Sequence, residues 1–392
     1  MVRIISLFIL ATCLLLFSPG LAGAASEPTA PTFSVQDTMD SLDLQDLEKF
    51  RNQVEDEMDP FLTEKGVREW LADFIKGDWQ FDFGQITETI IQFLFKEILA
   101  NSSLLSKLII LSVLAALLIN LQTSFASGIG RLSYLVCFLA MCALALGSFR
   151  VALGIGKQTI SNMSDFMMGV LPPMMALVAG LGHLNTSAML FPLLMMVATV
   201  FGNAIKNVVF PLIIMSAVLS LANQLSETVK VERLARFCSQ MAQIILGFLM
   251  TVFVGVLTLR SLYASVLDKV ALRTTRFVTD NAIPIVGKMV GDTVEVAAGY
   301  VVMLKDALGI FAALSILGII IFPVLKIAAL GLIYKLVGAV VEPMGDAKTA
   351  AILEVMSAHL FLLMAATAAV AVMFFIMIAI LAGVSSGFTM LK

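Results

Sequence analysis

The sequence contains little charge for its length. Asp, Glu, Lys and Arg together make up 14% of its 392 residues, whereas a soluble globular protein carries about 25% of them. Hydrophobic residues make up 59%, and the mean hydropathy is +0.98. So few charges could not cover so much apolar surface in water, and a soluble enzyme is therefore nearly excluded.

The sequence is also poor in the residues that catalysis and metal binding require. It has four cysteines without a CxxC pair, and its two histidines, His183 and His359, are too few for a metal site. No phosphate-binding glycine loop occurs, and no basic run supports nucleic-acid binding. We therefore expect no enzyme activity, no cofactor and no nucleic-acid partner.

Residues 1–24 have the pattern of a secretory signal peptide. Arg3 precedes an apolar stretch at 4–17, and Ala22-Gly23-Ala24 forms a cleavage site of small residues. The stretch is too short to span a bilayer comfortably. Two alternatives remain: a lipid anchor at Cys13, which follows a lipoprotein-like Leu-Ala-Thr, and an uncleaved anchor.

Residues 25–103 form an acidic segment, which we call the head and expect to be extracytoplasmic. From 27 to 103 there are 17 acidic and 6 basic side chains, a net of −11, whereas 104–392 has 11 acidic and 18 basic, a net of +7. An acidic amphipathic helix is predicted over 39–54 and ends before Pro60, and two further helices are predicted at 63–75 and 85–99. The stripe of Trp79, Phe81 and Phe83 fits a small core, an interfacial belt or a docking face. So short a segment without disulfides needs support from the membrane domain or another protein.

Residues 104–392 contain nine apolar runs long enough to approach a bilayer span. The prediction is an all-α, polytopic helical membrane protein with about seven to nine transmembrane helices, because several runs are short and some contain proline. The runs are 105–125, 132–149, 166–181, 188–205, 208–225, 241–259, 308–325, 327–341 and 359–383.

The charges between the runs predict an orientation. With nine spans and the head outside, Arg131 and the basic connector with Lys230, Arg233 and Arg236 lie in the cytoplasm, as does the C-terminus. Residues 261–305 would then lie outside as an amphipathic connector, although they carry several basic residues. That segment suits the membrane interface or the wall of a watery passage.

Two further features concern the last third of the chain. Lys326 and Lys335 stand in apolar surroundings and need an interior partner or an interface, but their spacing of nine residues places them on opposite helix faces. Proline pairs recur 19 and 20 residues apart, at 192 and 211 and at 323 and 343. Such an echo can mark the repeat of a secondary transporter, and a stand-alone permease for a small solute is the alternative function.

Several strings in this part of the chain resemble those of the stage III sporulation protein AE family. The strings are LRTTRF at 272–277, NAIPIVGKM at 281–289 followed by Asp292, FPVLK at 322–326, IYKL at 333–336 and NVVFPLI at 207–213. The order of signal peptide, acidic exported head and polytopic body is also similar. The residues that we take as family signature or functional candidates are Arg273, Thr274, Arg276, Asn281, Pro284, Gly287, Asp292, Pro323, Lys326, Tyr334 and Lys335.

The resemblance implies a role in endospore formation. The family is expected in the mother-cell membrane around the engulfed forespore, as the polytopic component of a channel or secretion-like complex needed for forespore development. The implied partners are proteins of the same operon, including a cytoplasmic ATPase and ring proteins of the intermembrane space, together with membrane lipid. The resemblance implies no catalytic residues.

Overall fold

The computed structural model describes residues 83–124, 128–225, 230–282, 286–344 and 346–383, together with the single residues 48, 69 and 71. Every element in these ranges is helical, so the predicted all-α fold of a polytopic membrane protein is confirmed. The predicted signal peptide, Trp79 and Phe81 lie outside the described residues. So do the head helices predicted at 39–54 and 63–75, except for residues 48, 69 and 71, which are helical. The helices are α1 (Phe83–Ala100), α2 (Ser102–Ser124), α3 (Gly128–Gly180), α4 (Leu184–Ala204), a π-helical turn (Ile205–Val209), α5 (Phe210–Leu225), α6 (Glu232–Ala282), α7 (Val286–Val341), a 3-10 turn (Glu342–Met344) and α8 (Ala347–Gly383).

The described residues contain six helical segments that are long and apolar enough to cross a membrane. Three of them each join two of the nine predicted runs into one helical rod, since nothing between those runs stops a helix. Lys326, for example, continues α7 without a break. Pro192 and Pro323 are tolerated inside α4 and α7, where neighbouring helices offset the lost backbone hydrogen bond. The segments are Ser102–Asn120, Leu132–Gly180, Leu184–Gln224, Glu232–Arg260, Gly299–Met344 and Ala347–Gly383.

Helices α3, α7 and α8 form the centre of the bundle and run side by side over most of their length. The antiparallel register of α3 and α7 is fixed at two levels: Ser148 contacts Tyr334, and a Cβ placed on Gly180 would lie 3.9 Å from Val301. Helix α8 folds back along α7, with which it makes its most extensive contact.

The rod formed by α4, the π-helical turn and α5 returns along α3 in the opposite direction. Ser187 Oγ donates to Met175 O near one end, at 3.1 Å, and Lys206 Nζ donates to Ser161 Oγ near the middle, at 3.0 Å. Helix α6 lies outside this rod, where Phe253 packs edge-on against Phe201 with ring centroids 5.4 Å apart.

Helices α1 and α2 lie along α7. The helix predicted at 85–99 is observed as α1, and the predicted break is slight, because Asn101 N donates to Glu97 O and Asn101 O accepts from Leu105 N. Phe93 of α1 contacts Phe322 of α7, with ring centroids 4.5 Å apart. The predicted connector 261–305 is divided between the last turns of α6 and the first turns of α7.

Candidate functional site: polar side chains between the helices

Tyr334, a candidate from the sequence, is fully buried between α7 and α3. Its hydroxyl lies 2.5 Å from Ser148 Oγ and 3.4 Å from Leu144 O. Ser148 Oγ in turn donates to Ala145 O at 3.0 Å. This chain of hydroxyls ends on backbone oxygen, so it satisfies the buried polar groups and fixes the register of the two helices.

The other candidates on α7 lie around the helix rather than at one point. Lys335 is exposed, Lys326 is half-buried, and Pro323 is buried. The structure thus places Tyr334 inside the bundle and the neighbouring Lys335 on its surface. The two lysines are not brought together with Tyr334 in one cluster of hydrogen bonds.

The remaining candidates lie on the hairpin of α6 and α7. Arg273, Thr274, Arg276 and Asn281 belong to the helical backbone of α6, and Gly287 and Asp292 to that of α7. Pro284 lies between the two helices, outside the described residues, and the contacts of the other side chains also lie outside the described structure. Their functional importance stays a prediction.

A buried carboxylate that the sequence reasoning missed lies at the start of α8. Asp346 accepts hydrogen bonds from Thr349 N at 3.0 Å and from Thr349 Oγ1, which is the geometry of a helix N-cap. Tyr134 OH of α3 donates to Asp346 Oδ1 at 3.3 Å, and Asn120 Nδ2 of α2 donates to Met344 O at 3.3 Å. The ends of α2, α3, α7 and α8 are thereby joined. The Asp-x-x-Thr spacing was a usable signal for the cap, but the contact with Tyr134 was not visible in the sequence.

His359, at the start of the predicted run 359–383, forms a second polar junction. Ser216 Oγ of α5 donates to Ala235 O of α6 at 2.7 Å and lies 2.8 Å from His359 Nε2 of α8. His359 Nδ1 lies 2.7 Å from Val355 O. Three helices meet at these atoms. Ser216 and His359 are 143 residues apart in the chain, so local sequence carried no signal for their contact.

Lys305 is a fully buried cation near the other end of α7. Its Nζ donates to Ala382 O at 2.5 Å and lies 3.3 Å from Asp306 Oδ1. Ala382 belongs to the last turn of α8, where a cation complements the unpaired carbonyls and the negative end of the helix dipole. Lys305 therefore holds the end of α8 against α7.

These polar groups hold helices against one another. They contact backbone carbonyls, hydroxyls and one helix cap, and the Ser216 hydroxyl beside His359 donates to the carbonyl of Ala235. Within the described ranges, no three His, Cys, Asp or Glu side chains come together as metal ligands. The arrangement can hold a bundle of long helices in a defined register inside a membrane.

Comparison with known proteins assigns a family. The family model described as Stage III sporulation protein AE matches residues 66–385. The protein of Bacillus subtilis (strain 168) named Stage III sporulation protein AE is 33% identical to the chain over 312 residues, which cover 79% of this chain and 78% of that protein. No solved structure matches the chain.

Proposed function

The chain belongs to the stage III sporulation protein AE family, and from this membership we propose that it is the polytopic membrane component of the channel or secretion-like complex between mother cell and forespore. A role in sporulation follows from the family itself. In this proposal the complex sustains forespore development after engulfment. The family match over residues 66–385 carries this proposal.

The architecture supports a framework role within such a complex. The six candidate spans make a multi-pass membrane protein, and its buried polar groups tie helices to one another at Tyr334, Asp346 and His359. We propose that the protein performs no catalysis of its own and contributes the membrane-embedded body to which other subunits attach.

The proposed location is the mother-cell membrane around the forespore. In this orientation the acidic head faces the intermembrane space, and membrane lipid surrounds the body. Six crossings, an even number, return the C-terminus to the side of the head, whereas the nine predicted runs placed it in the cytoplasm. The proposed partners are the cytoplasmic ATPase and the ring-forming proteins encoded in the same operon. Two features support them. The sequence lacks a phosphate-binding loop, so any ATP that the complex uses is hydrolysed by another subunit, and the net negative head suits a docking role.

The first test is deletion of the gene in its spore-forming host, with counts of heat-resistant spores and imaging of the forespores. The expected result is arrest after engulfment, with small or collapsed forespores, and recovery when the wild-type gene is returned. Normal spores from the deletion strain would refute the proposal.

A second test concerns the signature hairpin. Reversing charge with Arg273→Glu or Arg276→Glu should lower the spore count strongly while the protein stays in the membrane fraction. Arg236→Glu, on the exposed part of the same helix, is the matched control for an added negative charge. Normal spore counts in both hairpin variants would show that the function does not depend on Arg273 or Arg276.

The alternative of a stand-alone solute permease is separated by a transport assay. The purified protein in liposomes, without partners, should take up none of a broad panel of solutes if the complex is needed. The proline pairs offer the permease little structural support: Pro211 lies inside a continuous rod, whereas Pro343 lies in the 3-10 turn between α7 and α8. Specific uptake of one solute would favour the permease over the complex.

A further inference from the structure

The bundle is about twice as long as a membrane is thick. The span Leu132–Gly180 has 49 residues, and at ~1.5 Å per residue its contour is roughly 74 Å, whereas the hydrocarbon core of a bilayer measures ~30 Å. The average tilt of membrane helices, ~20°, shortens this length only slightly. Part of the bundle must therefore lie beyond the hydrocarbon.

Helix α2 shows which part lies within the hydrocarbon. Its span, Ser102–Asn120, has 19 residues and fits one crossing. Ser112 contacts Met141 of α3, and Asn120 contacts Met344 at the end of α7. The part of the bundle beside α2 is therefore the membrane half: residues 132–150, 210–225, 325–344 and 347–360. The rest is the outer half: residues 166–180, 184–202, 299–320 and 367–383, with residues 254–260 of α6, which follow Phe253 beside Phe201.

A set of exposed polar side chains separates the two halves. This polar belt consists of Lys157, Gln158 and Asp165 on α3, and Asn203 and Asn207 on the rod that packs beside it. Charged side chains that face lipid at mid-membrane are costly. The belt therefore marks the edge of the hydrocarbon.

Helix α1 places polar groups at the same level. Phe93 contacts Phe322 of α7. Along α7, Phe322 lies between Tyr334, which contacts Ser148 of α3, and Gly309, which lies close to Met174 of α3. The exposed Lys96 of α1 thus lies near the belt. The water boundary drawn from α3 agrees with the boundary at the start of α2, which follows directly after α1.

The outer half carries large apolar side chains that water would contact. Met196 is 59% exposed, and Leu259, on the part of α6 that continues past Phe253, is 71% exposed. An apolar surface of this kind in water needs a cover. The segment that covers this surface must lie on the side of the membrane on which α1 begins, because the outer half extends beyond the bilayer on that side.

The chain itself supplies a suitable occupant. Residues 25–82 lead directly into α1, and Leu71, a residue of this segment, is fully buried in the apolar cluster to which helices α2 to α8 all contribute side chains. Charge adds a second argument: the segment carries 15 acidic and 5 basic residues, whereas 260–288, on the hairpin of α6 and α7, carry 5 basic and 2 acidic. We propose that residues 25–82 dock on the outer half of the bundle, outside the bilayer, and cover its apolar side chains.

The test uses single cysteines and a membrane-impermeant maleimide, which reacts with a thiol only where water lets it ionise. The four native cysteines are first replaced by Ala or Ser. Reporters are Met196→Cys and Leu259→Cys in the outer half, Val136→Cys and Ile110→Cys in the membrane half, and Asn203→Cys in the belt. Open membrane fragments expose both faces, so labelling reports cover by lipid or protein and not sidedness.

The docking is broken with Leu71→Asp in the full chain, with Leu71→Met as control. The outer-half reporters should be labelled weakly in the chain with native Leu71 and in the Leu71→Met control, and several-fold faster in the Leu71→Asp variant. The membrane-half reporters should stay unlabelled throughout, which shows that the bundle is intact, and Asn203→Cys should be labelled throughout. Deletion of 28–78, which retains the signal peptide and α1, should match the Leu71→Asp variant.

Two results would overturn the proposal. Outer-half reporters that stay unlabelled in both the Leu71→Asp variant and the deletion would place that half in lipid. Outer-half reporters that react quickly in the chain with native Leu71 would show that the segment does not cover them.

Discussion

Helices α6 and α7 are similar in length and each contains a strongly apolar span, but they differ as parts of the structure. They have 51 and 56 residues, and the mean hydropathy of their candidate spans is 2.2 and 2.7. Yet 17% of the most apolar stretch of α6 is buried in the protein, against 67% in α7. Hydropathy measures the preference for a non-aqueous medium and does not distinguish lipid from protein as that medium.

The two helices also use glycine differently. A Cβ placed on Gly331 of α7 would lie 3.3 Å from the ring of Phe361 of α8, whereas a Cβ on Gly247 or Gly255 of α6 would have no neighbour within 4 Å. Close approach of α7 to α8 needs a small residue, because helices in a membrane gain contact by packing backbone against side chain. On α6 the same residue type has no such role.

The largest expected effect comes from filling this contact. Gly331→Leu should lower the free energy of unfolding by about 1–3 kcal/mol, because the added side chain displaces Phe361. Gly255→Leu on α6 should be neutral or slightly stabilising, since leucine is the better helix former. Thermal unfolding in detergent, followed by dye labelling of the buried Cys142 and Cys238, measures both. Equal losses in the two variants would end the contrast between the helices.

A smaller effect is expected where α6 is attached to the bundle. Ser216→Ala removes the hydroxyl between His359 and Ala235 O and should cost about 1–2 kcal/mol, because buried partners lose their hydrogen bond. Thr251→Ala on α6, whose hydroxyl donates within its own helix to Gly247 O, should change stability by less than ~0.5 kcal/mol. The same unfolding assay compares them. A neutral Ser216→Ala would show that apolar packing alone holds α6.

On α7 itself, one hydroxyl can be compared with another. Tyr334→Phe should cost about 1 kcal/mol, since it removes the buried hydroxyl that contacts Ser148. Tyr300→Phe, on an exposed position of the same helix, should have almost no effect. The unfolding midpoints of both variants are measured in one detergent. A loss of stability in Tyr300→Phe but not in Tyr334→Phe would contradict the assigned interface between α3 and α7.

The smallest effect should come from the ion pair on α6. Arg236 and Glu232 are 2.6 Å apart and largely exposed, so Arg236→Gln should change the free energy of unfolding by at most about 0.5 kcal/mol. The change should vanish at high salt because the pair is screened. Unfolding measured at low and at high salt tests this. A loss as large as that of Gly331→Leu would mean that the pair is buried in an assembly.

Particular residues show how far sequence reasoning reached. The apolar runs, the helix at 85–99 and the family strings were all readable, because each depends on residues close together in the chain. The joining of 132–149 with 166–181 was not: the polar residues between the runs suggested a connector, but in α3 they continue the helix and form the belt. Tyr334 was chosen for its place in a family string, and its partner Ser148 followed from packing alone.

The sequence by itself determined that this chain is a helical membrane protein with a sporulation role, since hydropathy and family strings are properties of short stretches. The tertiary structure decided which apolar helices face protein and which face outward. It also brought His359 to Ser216, Asp346 to Tyr134 and Lys305 to the end of α8. These contacts join residues distant in the chain, and their energies depend on complementary shape and hydrogen-bond geometry, which no local pattern encodes.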